Sequence, residues 1–525
     1  MKNSQEHKYV IAIDAGTQSI RAAIIDLQGE ICEIEKTEIE AYFTEQTGYA
    51  EQDPDYIWSK LCETTQRLMH NSHIDVADIK GFSLTTQRGT VVNIDKNGKP
   101  LRPAIIWLDQ RKAKLGNWPK GIVKKGLQLM NLYESISHAI KDGESNWIQQ
   151  NQAEIWKKTH KYLFLSGFLN FRLTGKYIDS VGSTVGYMPF DYKKQQWAHK
   201  KHPNYKMFPI EPEKLAQLVQ PSETLGLISD KAAVETGLPK GLKLIAAAAD
   251  KACEVLGSGC ISPEIACLSY GTTATIETVN KKYIEVIKFF PSYPSAIPNH
   301  FNTEIMIYRG YWMINWFKNE FGHKEIELAK KTGRTAEELF DEMIKDIPPG
   351  SMGLTLQPYW SPGVKIPGIE AKGAVIGFGD VHTRAHLYRS ILEGLTYALK
   401  EGALRTEKRT GVKIEKLRVS GGGSQSENAM QMTADIFNMP VEKPHTYETS
   451  ALGAAINCAV GLKLYPDFDI AIKNMCRVAK VYMPNKENSK LYHKLYHKVY
   501  KRMYKKLQPL YHDIREITNY PIQEE

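Results

Sequence analysis

Two short stretches of this chain share one shape, and no other feature limits the possible folds as strongly. Residues 9–14 (YVIAID) form an apolar run that ends on a carboxylate. Ala15-Gly16-Thr17-Gln18-Ser19 then reads as a tight turn, and residues 20–26 alternate into a second strand. Residues 265–277 (IACLSYGTTATIE) repeat the pattern: an apolar run, a Gly-Thr turn and a β-branched run. The two Gly-Thr pairs stand at 16–17 and 271–272, about half of the 525-residue chain apart. This spacing is read as an internal duplication. Length alone, at ~150 residues per domain, suggests three or four domains. The duplication favours two large lobes, each opening on a strand–turn–strand.

The remainder alternates strands with helices. Residues 80–85 and 90–95 read as strands, 55–70 as a helix, and 154–173 as one helix ending at Gly175. In the second half, 383–410 is a long helical pattern stopped by Gly411. Residues 417–420 form a short strand, and 426–438 a helix stopped by Met439-Pro440. Such alternation predicts an α/β fold. The boundary is expected within 245–255, dividing the chain into residues 1–248 and 249–525.

Composition excludes several classes. Hydrophobic residues make up 42% and charged residues 24%, as in globular proteins and unlike disordered or collagen-like chains. No apolar stretch approaches the ~20 residues of a membrane helix. The first residues lack an apolar core and cleavage site, so no secretory leader is expected. The seven cysteines are odd in number and none form a C-x-x-C pair. Reduced thiols in a cytoplasmic enzyme are the expectation.

The net charge of +9 raises the question of an anionic partner. From Tyr492 to Lys506 there are six Lys or Arg and no acid, with tyrosines at 492, 496, 500 and 504. On a helix these rings share a face. One reading is an RNA-binding surface. The other, favoured by the spacing, is a terminal helix docked through its tyrosines with its lysines in water.

The candidate chemistry begins at the first hairpin. Gly16 lets backbone N–H groups approach an anion, and Thr17, Gln18 and Ser19 add side-chain donors. Asp14 is placed where a carboxylate can hold hydrated Mg²⁺ beside phosphates. The second hairpin, Gly271-Thr272-Thr273, provides an opposing grip on the same polyphosphate. Ser420-Gly421-Gly422-Gly423-Ser424 precedes a helix, where glycines let a ligand lie against backbone and helix terminus. Neither a G-x-G-x-x-G fingerprint nor a Walker loop is present.

These motifs, in this order, resemble the FGGY carbohydrate kinase family of the actin-like ATPase superfamily. The resemblance covers about residues 8 to 480. IAIDAGTQSIRAAIID resembles the first phosphate motif, and LSYGTTA the second. VSGGGSQSENAMQMTADIFNMPV resembles the C-terminal signature, with ETSALGAAINCAVG after it. FLNFRLTGKYIDSVGST resembles the segment ahead of the lobe boundary. The resemblance implies two RNase H-like lobes around a cleft, with sugar on the N-terminal lobe and ATP mainly on the C-terminal one. It also implies that Asp250, in AAAADKACEVLG, is the general base. Family members usually carry Gly where Ala249 stands, and the following Lys251 is unusual. Turned inward, Lys251 would lower the pKa of Asp250 or touch substrate; the outward orientation is expected.

On the substrate side, TTQRGT at 85–90 matches the family's substrate loop. Gln87 and Arg88 are shared with glycerol kinases, which look like T-N-Q-R-E-T here, and Gly89 with xylulose kinases, which look like G-Q-M-H-G. Arg88 would donate paired hydrogen bonds to hydroxyls. The acceptor Glu of the glycerol pattern is missing, which weakens glycerol as substrate. Trp107, Asp109 and Arg111 form a W-x-D-x-R pattern resembling sugar kinases. Trp107 would cover a sugar skeleton; Asp109 and Arg111 would bind hydroxyls or pair with each other. For the nucleotide, Thr273 matches a phosphate contact, and Gly422, Gly423, Ser424 and Ser426 match the adenosine lining. Gly310 and Asn315 fall near another nucleotide segment, where Tyr311-Trp312 departs from the usual small residues.

The resemblance therefore implies an ATP- and Mg²⁺-dependent kinase for a ketose or related sugar. Glycerol and an autoinducer-2-type sugar are the alternatives. A nucleotide-dependent regulatory protein on the same fold is the reading from another class, and the presence of Asp250 with Asp14 argues for catalysis. A homodimer is compatible with all of these.

Overall fold

A computed structural model describes residues 8–116, 118–130, 132–361, 367–368 and 370–520. The expectation about a leader concerns residues 1–7, which lie outside that set. Two mixed sheets organise the chain. In the N-terminal lobe, β1 (Tyr9–Ala15), β2 (Ser19–Asp26) and β3 (Ile31–Glu38) form an antiparallel meander. β4 (Ile79–Thr86) runs parallel to β1, and β6 (Lys243–Ala246) parallel to β4. The short β5 (Thr224–Leu227) closes the edge antiparallel to β6.

The C-terminal sheet repeats this plan. β7 (Ile265–Tyr270), β8 (Ala274–Asn280) and β10 (Phe301–Ile307) form the meander, with β9 (Tyr293–Pro294) at its outer edge. β11 (Lys416–Ser420) runs parallel to β7, β12 (Val441–Pro444) parallel to β11, and β13 (Val478–Tyr482) closes the edge antiparallel. Meander strands 3, 2 and 1 are followed by two parallel strands in each lobe. The duplicated hairpins are thus the first two strands of two similarly ordered sheets.

Helices cover the faces. α1 (Pro54–Asn71) lays Ile57, Trp58, Leu61 and Leu68 on the first sheet, the four-residue spacing giving one apolar stripe. Asp53 caps it, accepting a hydrogen bond from Asp55 N. The single helix expected over 154–173 is three pieces: a helix Ala153–Lys158, a strand Lys161–Phe164 and α2 (Leu165–Thr174). The strand arises because Tyr162, Leu163 and Phe164 find a ladder partner in Val91–Ile94, a tertiary pairing that overrides the helical pattern. Gly175, at φ 73°, ends α2 as expected.

The lobes are joined by α3 (Asp250–Gly257), which leads out of β6, and by α6 (Thr449–Gly461) packed on it. A Cβ on Gly257 would lie 1.9 Å from Thr449 O, and one on Gly453 1.9 Å from Cys253 O. Only glycine permits so close a crossing. Ala451, Leu452, Ala455 and Ala459 of α6 share one apolar core with Val10, Ala12 and Ile25 of the N-terminal sheet. In the second lobe α4 (Arg384–Thr410) runs behind the sheet, capped by Thr383 and stopped by Gly411 at φ 76°.

The basic segment at the end is helical, Lys486–Leu495 and then Lys501–Thr518, with a π-turn at Tyr496–Tyr500 between them. Tyr492, Tyr496 and Tyr500 are buried in the C-terminal core. Tyr492 OH donates to Glu393 Oε1 at 2.7 Å. The lysines and arginine of this segment are exposed. The rings dock the helix, as their spacing favours. No helix of the described residues is long and apolar enough to cross a membrane.

Candidate active site

The ends of β1, β4, β7 and β11 converge with the start of α3. Asp14 stands opposite Arg21 in the β1–β2 ladder, and the Arg21 guanidinium reaches its Oδ2 at 3.3 Å. Arg21 Nε also lies 3.4 Å from Glu448, just ahead of α6. Burial pushes the Asp14 carboxyl up to about 7; Arg21 opposes the shift, and the charges of Asp250 and Glu448 add to it. Thr17 donates to Gln87 Oε1 at 2.6 Å and accepts from Trp107 Nε1 at 3.0 Å. Gln87 in turn donates to Gln52 at 2.8 Å. The turn's backbone is therefore braced by side chains, with Gln18 exposed at its tip.

The expected substrate residues divide into two sets. Arg111 holds Asp109 through two bonds, Nε to Oδ1 at 2.8 Å and Nη2 to Oδ2 at 2.7 Å. Its guanidinium also reaches Glu51 at 2.8 Å and lies 3.8 Å from the Tyr49 ring centroid. The two side chains are only 2% and 4% exposed. Of the two arrangements open to this pair, the structure has them bonded to each other inside the lobe. Trp107, by contrast, is 41% exposed.

Arg88 does something the sequence did not suggest. Its Nη1 and Nη2 donate to the two carboxylate oxygens of Glu304, at 2.7 and 3.1 Å. Glu304 lies on β10, in the other lobe. The Tyr293 ring packs against the same guanidinium, 5.5 Å to its centroid. Glu277 of β8 stands directly opposite Glu304 in the ladder. Burial, and then the Glu304 charge, push Glu277 well above the carboxylate range.

Asp250 is the first residue of α3. Burial raises its pKa; Arg88 and then Lys251 pull it down. Asp14, Arg88 and Asp250 thus share one electrostatic neighbourhood. Lys251 turns inward, contrary to expectation. Its ammonium donates to Glu254 at 2.7 Å and to Ser269 at 2.5 Å. Glu254 also accepts from Ser420 at 2.6 Å. A buried carboxylate one helical turn away draws the cation in. This network ties α3 to Ser269 and Ser420, the residues just ahead of the two glycine turns of the C-terminal lobe.

Apart from Gly16–Ser19, the residues expected to contact the nucleotide lie on that lobe. Tyr311 N donates to Gly271 O at 3.0 Å and Trp312 N to Thr272 O at 3.2 Å. Gly310 allows this, since a Cβ there would lie 2.2 Å from Ala274 N. Tyr311 stacks on Tyr270, centroids 4.4 Å apart, and packs against Gly423. Of the two aromatics that depart from the family pattern, Tyr311 therefore packs its ring beneath the turn, and Trp312 holds the turn through its backbone. Gly422 has no heavy atom within 4 Å of its would-be Cβ, so its surface is open. Ser424 donates to Gly421 O at 2.7 Å. Ser426 caps α5 (Glu427–Phe437) and donates to Asp341 at 2.7 Å. Asn315 is exposed on the helix Trp312–Phe321.

Sequence reasoning missed Arg21, Glu277, Glu304 and Glu448. The signal for two of them was an acid inside an apolar strand, in ATIETVN and FNTEIMI. A buried carboxylate in a ladder demands a partner. Among the described residues no group of three or more His, Cys, Asp or Glu is placed to hold a metal ion by itself.

Two similarly ordered lobes thus each place a glycine turn near the start of α3, the connecting helix that opens on Asp250. Residues 9–257 match the N-terminal domain of the FGGY family of carbohydrate kinases, and residues 266–462 match its C-terminal domain. The chain belongs to this family, whose kinases are phosphotransferases with an alcohol group as acceptor. It is 30% identical to an uncharacterized sugar kinase of Escherichia coli, over 92% of this chain and 91% of that one. It is 27% identical to a xylulose kinase of Lactococcus lactis (92% and 94%) and 26% to a gluconokinase of Bacillus subtilis (92% and 93%). The crystal structure of xylulose kinase from Rhodospirillum rubrum superimposes with a TM-score of 0.80 at 21% identity, covering 96% of this chain and all of that one.

Proposed function

We propose that this carbohydrate kinase phosphorylates a hydroxyl of a small ketose or closely related sugar, with Asp250 as general base. One observation carries the reading: Asp250 lies at the N-terminus of the crossing helix, in the field of both Arg88 of the substrate loop and Asp14 of the first phosphate turn. The sugar lies on the lobe of residues 1–248 and the nucleotide on that of residues 249–525.

The donor set suits MgATP. Asp14 and Asp250 are two carboxylates whose mutual repulsion a divalent cation relieves. Asp14 would hold Mg²⁺, and Gly16–Ser19 with Gly271–Thr273 the phosphates. Gly422–Ser424 would line the adenosine, with Ser426 holding the adjoining helix start. ATP supplies the phosphoryl group and Mg²⁺ neutralises its charge. The protein's part is placement and proton transfer. Arg88 and Trp107 fix the sugar, and Asp109–Arg111 buttresses the loop carrying Trp107. Asp250 takes the hydroxyl proton as the oxygen attacks. Burial makes Asp250 a better base than an exposed aspartate, and Arg88 and Lys251 oppose that upward shift.

Coupled ADP release over a panel of ketoses, aldoses, polyols and sugar acids tests this. Turnover with a ketose and little with glycerol is expected. ATP binding without turnover on any member would overturn the kinase reading.

A further inference from the structure

We infer that Glu304 is a specificity residue: held against Arg88 from the opposite lobe, it makes the sugar site accept neutral vicinal diols and reject sugar acids. This rests on the kinase reading above and narrows its substrate class. Gly89 follows Arg88, so the substrate loop TTQRGT carries no carboxylate of its own beside the arginine. The structure supplies a carboxylate in space instead. Both terminal nitrogens of Arg88 are engaged by Glu304, yet the arginine keeps 16% of its side chain open. The Tyr293 ring lies over the guanidinium on one side.

A guanidinium beside a carboxylate offers donors and acceptors side by side. Two adjacent hydroxyls of a neutral sugar can accept from one and donate to the other. A sugar acid cannot use this arrangement. Its carboxylate would compete with Glu304 for the same donors and leave one of the two anions without a partner. The surroundings sharpen the conflict. Arg88 and Lys251 face Glu304, Asp250 and Glu254. Adding an anion to this set meets like charge. Glu304 belongs to the lobe opposite the substrate loop, so the discrimination operates when the lobes are together.

The test compares neutral ketoses, with D-xylulose among them, against D-gluconate, by ADP release from the full-length wild type, Glu304→Gln and Glu304→Asp. In the wild type, kcat/KM for the best neutral sugar should exceed that for gluconate by about 100-fold or more. Glu304→Gln keeps the shape and removes the charge. It should narrow that ratio at least about tenfold, by lowering the gluconate KM and raising the neutral-sugar KM, with the ATP KM within about twofold. Glu304→Asp retains the charge and should retain the rejection. A wild type that prefers gluconate overturns the inference, whether or not the variants fold. So does a ratio unmoved in Glu304→Gln when both sugars lose activity together, since a merely structural role predicts that. Turnover with an unmoved ratio refutes Glu304 alone. No turnover with any sugar refutes the kinase reading as well.

Discussion

The two glycine turns occupy matching places in two similarly ordered sheets, and the residue two positions before each glycine separates them. In the N-terminal lobe that residue is Asp14, with Arg21 opposite it in the ladder. In the C-terminal lobe it is Ser269, with Thr275 opposite, and the Lys251 ammonium sits on its hydroxyl. One wall of the cleft therefore presents a carboxylate and the other a serine backed by a cation. Backbone geometry was duplicated; charge was not. On the proposed reading, the asymmetry would orient a ligand carrying both phosphates and a divalent cation, because each end would meet a different partner. The lobes also differ in how their turns are held. Side chains of Gln87, Trp107 and Gln52 brace the first. The second rests on backbone bonds from Tyr311 and Trp312.

The largest effect should come from neither wall. Asp250→Asn removes the proton acceptor while keeping the shape of α3. Turnover should fall about 10²–10⁴-fold, with ATP affinity within about twofold by calorimetry. Wild-type-like turnover would take Asp250 out of the mechanism.

Lys251→Met strips the cation from the second wall. Glu254 then stays buried with serine hydroxyls alone, and breaking such a pair costs about 3–5 kcal/mol, visible as a lower Tm. Kinetics separate this from a purely structural role. Asp250 must be ionised to accept a proton, so activity is lost as pH falls through its pKa. That pKa is raised by burial and held down by Arg88 and Lys251. Without Lys251 it rises, and the acid limb of kcat/KM moves to higher pH. A stationary limb with a lowered Tm would assign Lys251 to stability alone.

The duplication was legible because glycine turns after apolar runs are local patterns, and the α/β plan followed from alternation. Asp250 stands out as a candidate base only through the order of motifs around it. What stayed hidden was pairing between distant segments. The strand at 161–164 carries a helical pattern and becomes a strand through Val91–Ile94. Lys251 reads as solvent-facing, since nothing local shows that Ser269 meets its ammonium while Ser420 reaches its neighbour Glu254. Arg88 and Glu304 lie 216 positions apart. Their meeting depends on how the two lobes are set against each other, and no spacing rule encodes that.

The way each turn is held can be tested directly. Gly310→Ala places a Cβ 2.2 Å from Ala274 N, against backbone that has no room to yield. Overpacking of this kind costs about 1–3 kcal/mol, relieved here by shifting the second turn. The KM for ATP should rise roughly tenfold while the KM for the sugar stays unchanged. An equal rise in both would mean that the turns act as one unit rather than as separately supported walls.

The smallest effect concerns the charge asymmetry itself. In the ligand-free protein the Asp14 carboxyl titrates at about 7, above its ordinary value near 3.8. A group raised in the folded state contributes stability that is fully present below its unfolded pKa and is lost as pH rises through its folded pKa. Between about pH 4 and 7 the Asp14 contribution therefore declines. At pH 8 the fold carries an ionised, buried carboxylate whose cationic partner is Arg21 at 3.3 Å. Asp14→Asn removes that charge. It should raise the Tm of the free protein at pH 8 by about 2–4 °C, equivalent to ~1 kcal/mol in a large domain, and by less at pH 5. Ser269→Ala, the matching change in the other turn, removes no titrating group and should shift Tm equally at both pH values. Adding Mg²⁺ with a non-hydrolysable ATP analogue should then stabilise the wild type more than Asp14→Asn at pH 8, because the ionised carboxylate that burdens the free fold is the group proposed to hold the cation. Equal stabilisation of the two would separate the Asp14 charge from metal binding and leave the asymmetry of the walls without a ligand to explain it.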